Sequence, residues 1–331
     1  MTRLNLTLLT ILAITVPLSL LAGQVWLDPF HPAAPNATPI LLQLRLPRAI
    51  LALAVGGGLG AAGAAMQGYL RNPLADPGLF GIAPCAALGA VLSLWTGYSA
   101  AAYTLPLFAL IGAGSAMALL GLISGRQGGV ATFTLAGMML ASLAGALMSL
   151  AISLSPTPFA LSEIVTWLMG ALADRSWQDV WIAAPGALLG VALLRLAGRG
   201  LDGLLLGDGV ARSLGIDPRR LQWLLIAGIG LTVGSGVAVA GIIGFVGLVV
   251  PHLVRPFTDR RPSRLIVPSA LAGALLLLVA DCLCRVLPLA GGELRLGIAL
   301  SLIGAPFFLA LLLRMRRGAS GDGAKSDGGW G

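Results

Sequence analysis

Charge is what this chain has least of. Asp, Glu, Lys and Arg make up 10% of its 331 residues, against about 25% in a soluble domain, too few to clothe a water-facing surface. Histidine occurs twice, at His31 and His252, far apart in sequence, and cysteine three times, at Cys85, Cys282 and Cys284. Neither residue type shows a metal-ligand or C-x-x-C spacing, so no metal site follows and the thiols read as packing residues. No G-x-x-x-x-G-K-[ST] phosphate loop occurs either. If ATP drives this protein, another chain must bind it, and this one holds no cofactor of its own. No acid, base and nucleophile converge, which argues against a membrane enzyme. No carboxylate or histidine relay interrupts the apolar runs, which argues against a secondary transporter coupled to ions. The net charge of +8 comes from basic residues standing singly or in small groups, not from a stripe interleaved with aromatics, so nucleic acid is not an expected partner.

What the chain has in abundance is apolar surface and glycine. Hydrophobic residues make up 57%, with 46 glycines besides, and the mean hydropathy is +0.93. A helix needs about 20 apolar residues to cross a bilayer. Such stretches lie near 6–26, 48–68, 80–97, 104–123, 131–154, 177–197, 221–240, 266–285 and 296–314, and a shorter run at 244–255 reads as a tenth crossing. The expected fold is therefore an all-α membrane protein of about ten transmembrane helices, surrounded by lipid. Ten crossings with both termini cytoplasmic put sixteen Lys and Arg residues inside and five outside, the bias expected of cytoplasmic loops. Dropping the short crossing sends Arg314, Arg316 and Arg317 outside, against that bias. The first apolar run resembles a signal peptide, with Arg3 before it and Leu21-Ala22-Gly23 near its end, but the count of crossings uses it and favours its retention. Residues 1–317 form the expected membrane domain, and the Gly/Ser-rich stretch 318–331 reads as a disordered cytoplasmic tail.

Six short segments carry a resemblance. RLPR at 45–48, MQGYLRNPLADPGLFGI at 66–82, LLLGDGVARSLGID at 204–217, GFVGLVVPHLVR at 244–255, ADCLCR at 280–285 and LIGAPFF at 302–308 resemble, in order, the FecCD/BtuC-type permeases of type II ABC importers. Such permeases sit in the bacterial inner membrane and take up iron siderophores, haem and vitamin B12. The resemblance implies two ten-span permease subunits, here expected as a homodimer, with two cytoplasmic ATPase subunits that use the ATP and an external, periplasmic substrate-binding protein. An iron(III)-siderophore or related metal chelate is the expected cargo, with cobalamin or haem as the alternatives.

The same residues have a local reading. Arg45 and Arg48 flank Leu46-Pro47 at the outer end of the second span, where both guanidinium groups can face water and snorkel to the interface. The resemblance instead assigns them, with Arg285 at the end of the ninth span, to hold glutamates of the binding protein, a task suited to planar, permanently charged groups. Asp281 stands four residues before Arg285 and reads as its intrahelical partner. Asn72-Pro73-Leu74-Ala75-Asp76-Pro77 reads as a turn on the cytoplasmic side. Residues 207–215 read as a short helix opened by Asp208 as N-cap and closed by Gly215. The resemblance makes that helix the coupling element, with Gly207, Asp208, Ala211, Leu214 and Gly215 seated in a groove of the ATPase; many members carry Glu where this chain has Asp208. It also places a cytoplasmic gate at the start of the fifth span, Gly129-Val130-Ala131-Thr132, residues equally ordinary for helix packing. Glycines at 241, 244 and 247 are expected to admit a second backbone closely.

Overall fold

Backbone amides in hydrocarbon find no water to bond to, so a run that crosses a bilayer satisfies them internally, and a helix does so within one segment. The computed structural model describes residues 3–23, 37–97, 103–124, 129–287 and 292–326, and every regular element among them is helical. In chain order these are α1 (Arg3–Leu21), α2 (Ile40–Tyr69), α3 (Ile82–Trp95), α4 (Thr104–Ser124), α5 (Val130–Ser153), α6 (Pro158–Leu168), α7 (Trp177–Leu204), α8 (Asp208–Ser213), α9 (Pro218–Ala240), α10 (Val246–Val254), α11 (Pro262–Val286) and α12 (Leu296–Ser326). Eight are long and apolar enough to cross a membrane. Beside them stand three shorter apolar helices, α3, α6 and α10, so the all-α membrane architecture is as expected.

Local chemistry sets most boundaries. Ser176 opens α7 in a capping box: its hydroxyl accepts from the Gln178 amide, and Asp179 accepts from the Ser176 amide at 2.8 Å. Asp217 caps α9 ahead of Pro218, and Thr157 caps α6 ahead of Pro158, the pairing of polar cap and first-turn proline that helix starts favour. Helix α6 was not expected, because Pro156, Ser162, Glu163 and Thr166 break the apolar run. It forms nonetheless by packing Ile164 against Val91 and Leu94 of α3. Helix α12 runs to Ser326.

Helix α2 is the axis of the molecule. Its segment GGGLGAAGAA at 56–65 is buried on every side, and its small residues let neighbouring backbones approach. A Cβ on Gly60 would collide with the Ser269 carbonyl oxygen of α11, and one on Gly63 with the Gly247 carbonyl of α10. Of the three glycines singled out in the 241–247 ladder, Gly247 and Gly241 do make such contacts, while Gly244 has open space around it. Helix α9 is the second buried element; α1, α4 and α5 leave most of their apolar surface uncovered, as lipid-facing helices do.

The segment after α2 is a turn, as expected, and it also enters the protein. The chain reverses at Arg71, whose φ is 51°, and residues 72–81 fold back into the bundle. A Cβ on Gly247 would lie 2.7 Å from Pro77 Cδ and 3.2 Å from the Leu59 carbonyl oxygen. Phe80 stacks on Phe133 at 5.2 Å between ring centroids. This is why α3 has 14 residues where a full span was expected: residues 72–81 already carry the chain into the bundle, and its first turn, with Ile82 and Ala83, is buried.

Candidate functional site

The bundle has two polar ends, and the expected site residues divide between them. At one end α1, α2 and α11 converge on three guanidinium groups. Arg48 is bidentate to Asp281, with Nε 2.9 Å and 3.0 Å from the two carboxylate oxygens and Nη2 2.8 Å from Oδ1; the same Nη2 lies 2.8 Å from Glu293 Oε2. Arg285 Nε stands 3.3 Å from Asp281 Oδ2. Arg45 Nη1 donates to the carbonyls of Leu20 and Leu21 at 2.8 Å and 2.9 Å, and Arg285 Nη2 donates to that of Ser19 at 3.2 Å. The two arginines thus satisfy carbonyls that α1 leaves unpaired at its C-terminus, where positive charge is favoured.

These contacts correct the picture of arginines facing water. The Arg48 side chain retains 11% of its exposure and Asp281 1%, and Arg45 and Arg285 are buried as residues. The reason is the pairing itself: desolvating a guanidinium is tolerated where carboxylates and carbonyls replace water. Asp281 serves two arginines, not only the intrahelical partner its spacing announced. The contribution of Glu293 was missed, since no local spacing links it to Arg48 245 positions earlier.

At the opposite end lies α8. Its N-cap is Gly207, with φ 99°, and not Asp208, which occupies the first helical turn and pairs with Arg71. Asp208 stands one position past the cap, inside the first turn, and its carboxylate pairs with Arg71 in the loop after α2. Gly215 closes the helix with φ 78°, as its position suggested. Ala211 is fully buried against the Gly203 and Ile216 region, whereas Leu214 is 62% exposed and Val210 and Leu206 stand open beside it. Of the expected coupling residues, Leu214 and Asp208 have exposed side chains, and Ala211 does not.

The rest of this end is stitched by side chains that sequence spacing could not reveal. Asp202, near the end of α7, accepts from the Ser263 amide at 2.9 Å and from its hydroxyl, capping α11 from another helix. Gln67 donates to the Leu248 carbonyl at 3.2 Å and accepts from Arg255 at 2.7 Å, tying α2 to α10. Gly129, Val130, Ala131 and Thr132 open α5 with Gly129 as N-cap; Gly129, Ala131 and Thr132 are exposed and Val130 half-buried. His252 lies on α10, its ring 6.1 Å from that of Phe307, and His31 lies outside the described residues. Among the described residues no group of His, Cys, Asp and Glu could hold a metal.

Three comparisons bear on this arrangement. Residues 6–314 match the model of the FecCD transport family. The chain is 42% identical over 293 residues to an uncharacterized ABC transporter permease protein, YvrB, of Bacillus subtilis, covering 86% of this chain and 81% of that one. It is 39% identical over 300 residues to the vitamin B12 import system permease protein BtuC of Vibrio cholerae, covering 90% and 89%. Among solved structures it resembles a metal-chelate type ABC transporter in an inward-facing conformation, with a TM-score of 0.87 and 33% identity, over 94% of this chain and 99% of that one.

Proposed function

This chain belongs to the FecCD transport family and is the permease subunit of an ABC importer in the inner membrane, and from that premise we propose that it passes an iron(III)-siderophore or related metal chelate from a periplasmic binding protein to the cytoplasm. One observation carries the reading: the molecule keeps a rigid, cationic end and an exposed helical end on opposite sides of an apolar bundle. In this reading the Arg48 end faces the periplasm and α8 the cytoplasm, the orientation that places most basic residues inside. A second cargo, vitamin B12, is favoured by the similarity to BtuC.

Three arginines against two carboxylates leave a positive field at the periplasmic end, which draws carboxylates of the binding protein toward Arg45, Arg48 and Arg285. The ATPase seats Leu214 and its exposed neighbours between Gly207 and Gly215, and Asp208 holds α8 to the body of the permease through Arg71. Two copies of the chain, each with two open apolar faces such as Leu135, Met138 and Leu143 on α5, enclose the pathway, and Gly129–Thr132 narrow it at the cytoplasmic end. ATP is bound and hydrolysed by the partner.

The test is reconstitution into proteoliposomes with the cognate ATPase and binding protein, followed by ATP-driven uptake of labelled ferric siderophore, haem and cyanocobalamin. Uptake of at least one, absent without ATPase, is expected; uptake by the permease alone would refute the reading. Arg45→Gln keeps donors for the Leu20 and Leu21 carbonyls and removes the charge, so binding-protein affinity should fall and become less sensitive to salt. Unchanged affinity across a salt series would remove Arg45 from the docking surface.

A further inference from the structure

Two of the sequence segments, GFVGLVVPHLVR and LIGAPFF, meet in the structure. Phe245, in the first, is the N-cap of α10 and holds a left-handed backbone with φ 67°, a steric outlier for a bulky side chain. Gly304, in the second, faces it from α12: a Cβ there would collide with the Cβ, Cγ and Cδ1 atoms of Phe245. The aromatic side chain thus stands in a notch on α12 that only glycine leaves open. Farther along the same two helices, the His252 ring meets that of Phe307 edge-on at 6.1 Å.

Strain of this kind persists only where the surroundings over-determine it, and here they do. Two residues after Phe245, Gly247 is pressed between Gly63 of α2 and Pro77. Three residues before it, the Ile242 carbonyl leaves no room for a Cβ on Gly170 and lies 2.9 Å from where one would stand on Gly297. Past Gly247, Gln67 ties α10 to α2 through the Leu248 carbonyl and Arg255. A glycine would take the left-handed conformation without strain, yet the nearest one, Gly244, stands one position earlier with open space around it. The Phe245 ring is therefore a fixed projection of the body formed by α2 and α10. Helix α12 is held less closely. A cavity of about 440 Å³ separates it from α10 and α11, walled by Val249, Leu276, Val279, Leu283, Leu302 and Ile303. Close-packed interiors leave few voids larger than a water molecule, so a slot of this size is room into which a helix can move.

We propose that Phe245 is the positioning residue of α12: its ring is a stop, fixed to α2 through α10, on which α12 pivots into the slot as the permease changes access. The proposal rests on the import reading above. Packed elements shift between discrete arrangements and do not deform continuously. A rigid ring set against a glycine suits such a shift, because α12 carries no side chain at the contact that would have to be repacked. Without the ring, α12 settles toward α10 and α11, and the slot loses the two widths between which it would alternate.

The test uses the full chain in nanodiscs, alone and with its ATPase and binding protein. Spin labels on Leu283→Cys and Ile303→Cys, both exposed positions, read the separation across the slot once Cys85, Cys282 and Cys284 are replaced by alanine. In that background the separation should differ between the nucleotide-free and the ATP-bound complex. Phe245→Ala should shorten it by about 3.5 Å, the van der Waals contact distance of one ring, and leave it unresponsive to nucleotide. Uptake per ATP hydrolysed should then fall about tenfold, the size of an ordinary coupling between sites. Adding Gly304→Leu to Phe245→Ala returns bulk to the contact from the other helix and should restore both readings. Where Phe245→Ala fails to insert, Gly304→Ala reads the same contact, since its methyl displaces the ring and should lengthen the separation. Gly244→Ala, one residue away in open space, should change neither reading. A separation and nucleotide response unchanged in Phe245→Ala, or an inserted double variant no better than the single one, would overturn the proposal. So would a lowered thermal midpoint with uptake per ATP intact, the mark of a packing contact alone. The separation in the isolated permease tests the stop by itself. A complex of the unaltered chain that imports no ferric siderophore, haem or cobalamin sinks the import reading and leaves that measurement standing.

Discussion

The two polar ends of the bundle are built on opposite terms. At the Arg48 end the charges are enclosed, and Asp281 alone pairs with two guanidinium groups from different helices. At the α8 end the ion pairs, Arg71 with Asp208 and Arg261 with Asp259, lie open to water, and two left-handed glycines bracket a six-residue helix. An enclosed network resists deformation because breaking one contact strands another charge; an exposed pair yields at little cost. On the proposed import reading, stiffness belongs to the end that receives cargo and compliance to the end that an ATPase drives.

The contrast would be broken first at Asp281. Asp281→Ala leaves Arg48 and Arg285 buried without their shared counter-charge and should cost about 3–5 kcal/mol, seen as a large fall in thermal midpoint in detergent. Combining it with Arg48→Met should recover part of the loss, since an apolar pair replaces a buried ionic one at small cost. A fall no larger than that of an exposed-pair variant would show that the network is not enclosed in the working protein.

A smaller effect is expected at Ala211→Leu, which forces extra volume between α8 and the Gly203 region and should destabilise by about 1–3 kcal/mol. Its thermal midpoint should drop while Asp208→Asn, which weakens the exposed pair, changes stability by no more than about 1 kcal/mol. Equal midpoints for the two would contradict the burial of Ala211. Smallest in stability is Leu214→Glu, which faces outward and should leave the midpoint unchanged. Its consequence should appear elsewhere, as ATP hydrolysis by the reconstituted complex no longer linked to uptake. Retained coupling would move the contact surface away from α8.

Much of this architecture was legible from composition and spacing, and what escaped has physical reasons. Runs such as 131–154 and 221–240 announced themselves because a spanning helix needs length and hydrocarbon, both local properties. The glycine at 215 and the paired spacing of Asp281 and Arg285 were legible for the same reason. Interactions across the bundle were not. Glu293 with Arg48, Asp202 with Ser263 and Gln67 with Arg255 join positions 61 or more residues apart, and no periodicity in one segment refers to another. The turn at 72–77 was legible in Asn72 and Asp76, which bond to the amides of Leu74 and Gly78, but its fold-back was not, because Pro77 and Phe80 meet Gly247 and Phe133, far away in sequence.

The carbonyls at the end of α1 tie the order of synthesis to the order of assembly. Helix α1 is the least buried of the long helices, and the side chains that fasten its last turn are Arg45 and Arg285. Arg285 leaves the ribosome 240 residues after Arg45, a delay of about 12–50 s at 5–20 residues per second. For that interval α1 stands in the bilayer with one of its two clasps missing. Helix α1 is therefore fully secured only long after it is made, and a ribosome stalled anywhere before α11 leaves it held by Arg45 alone.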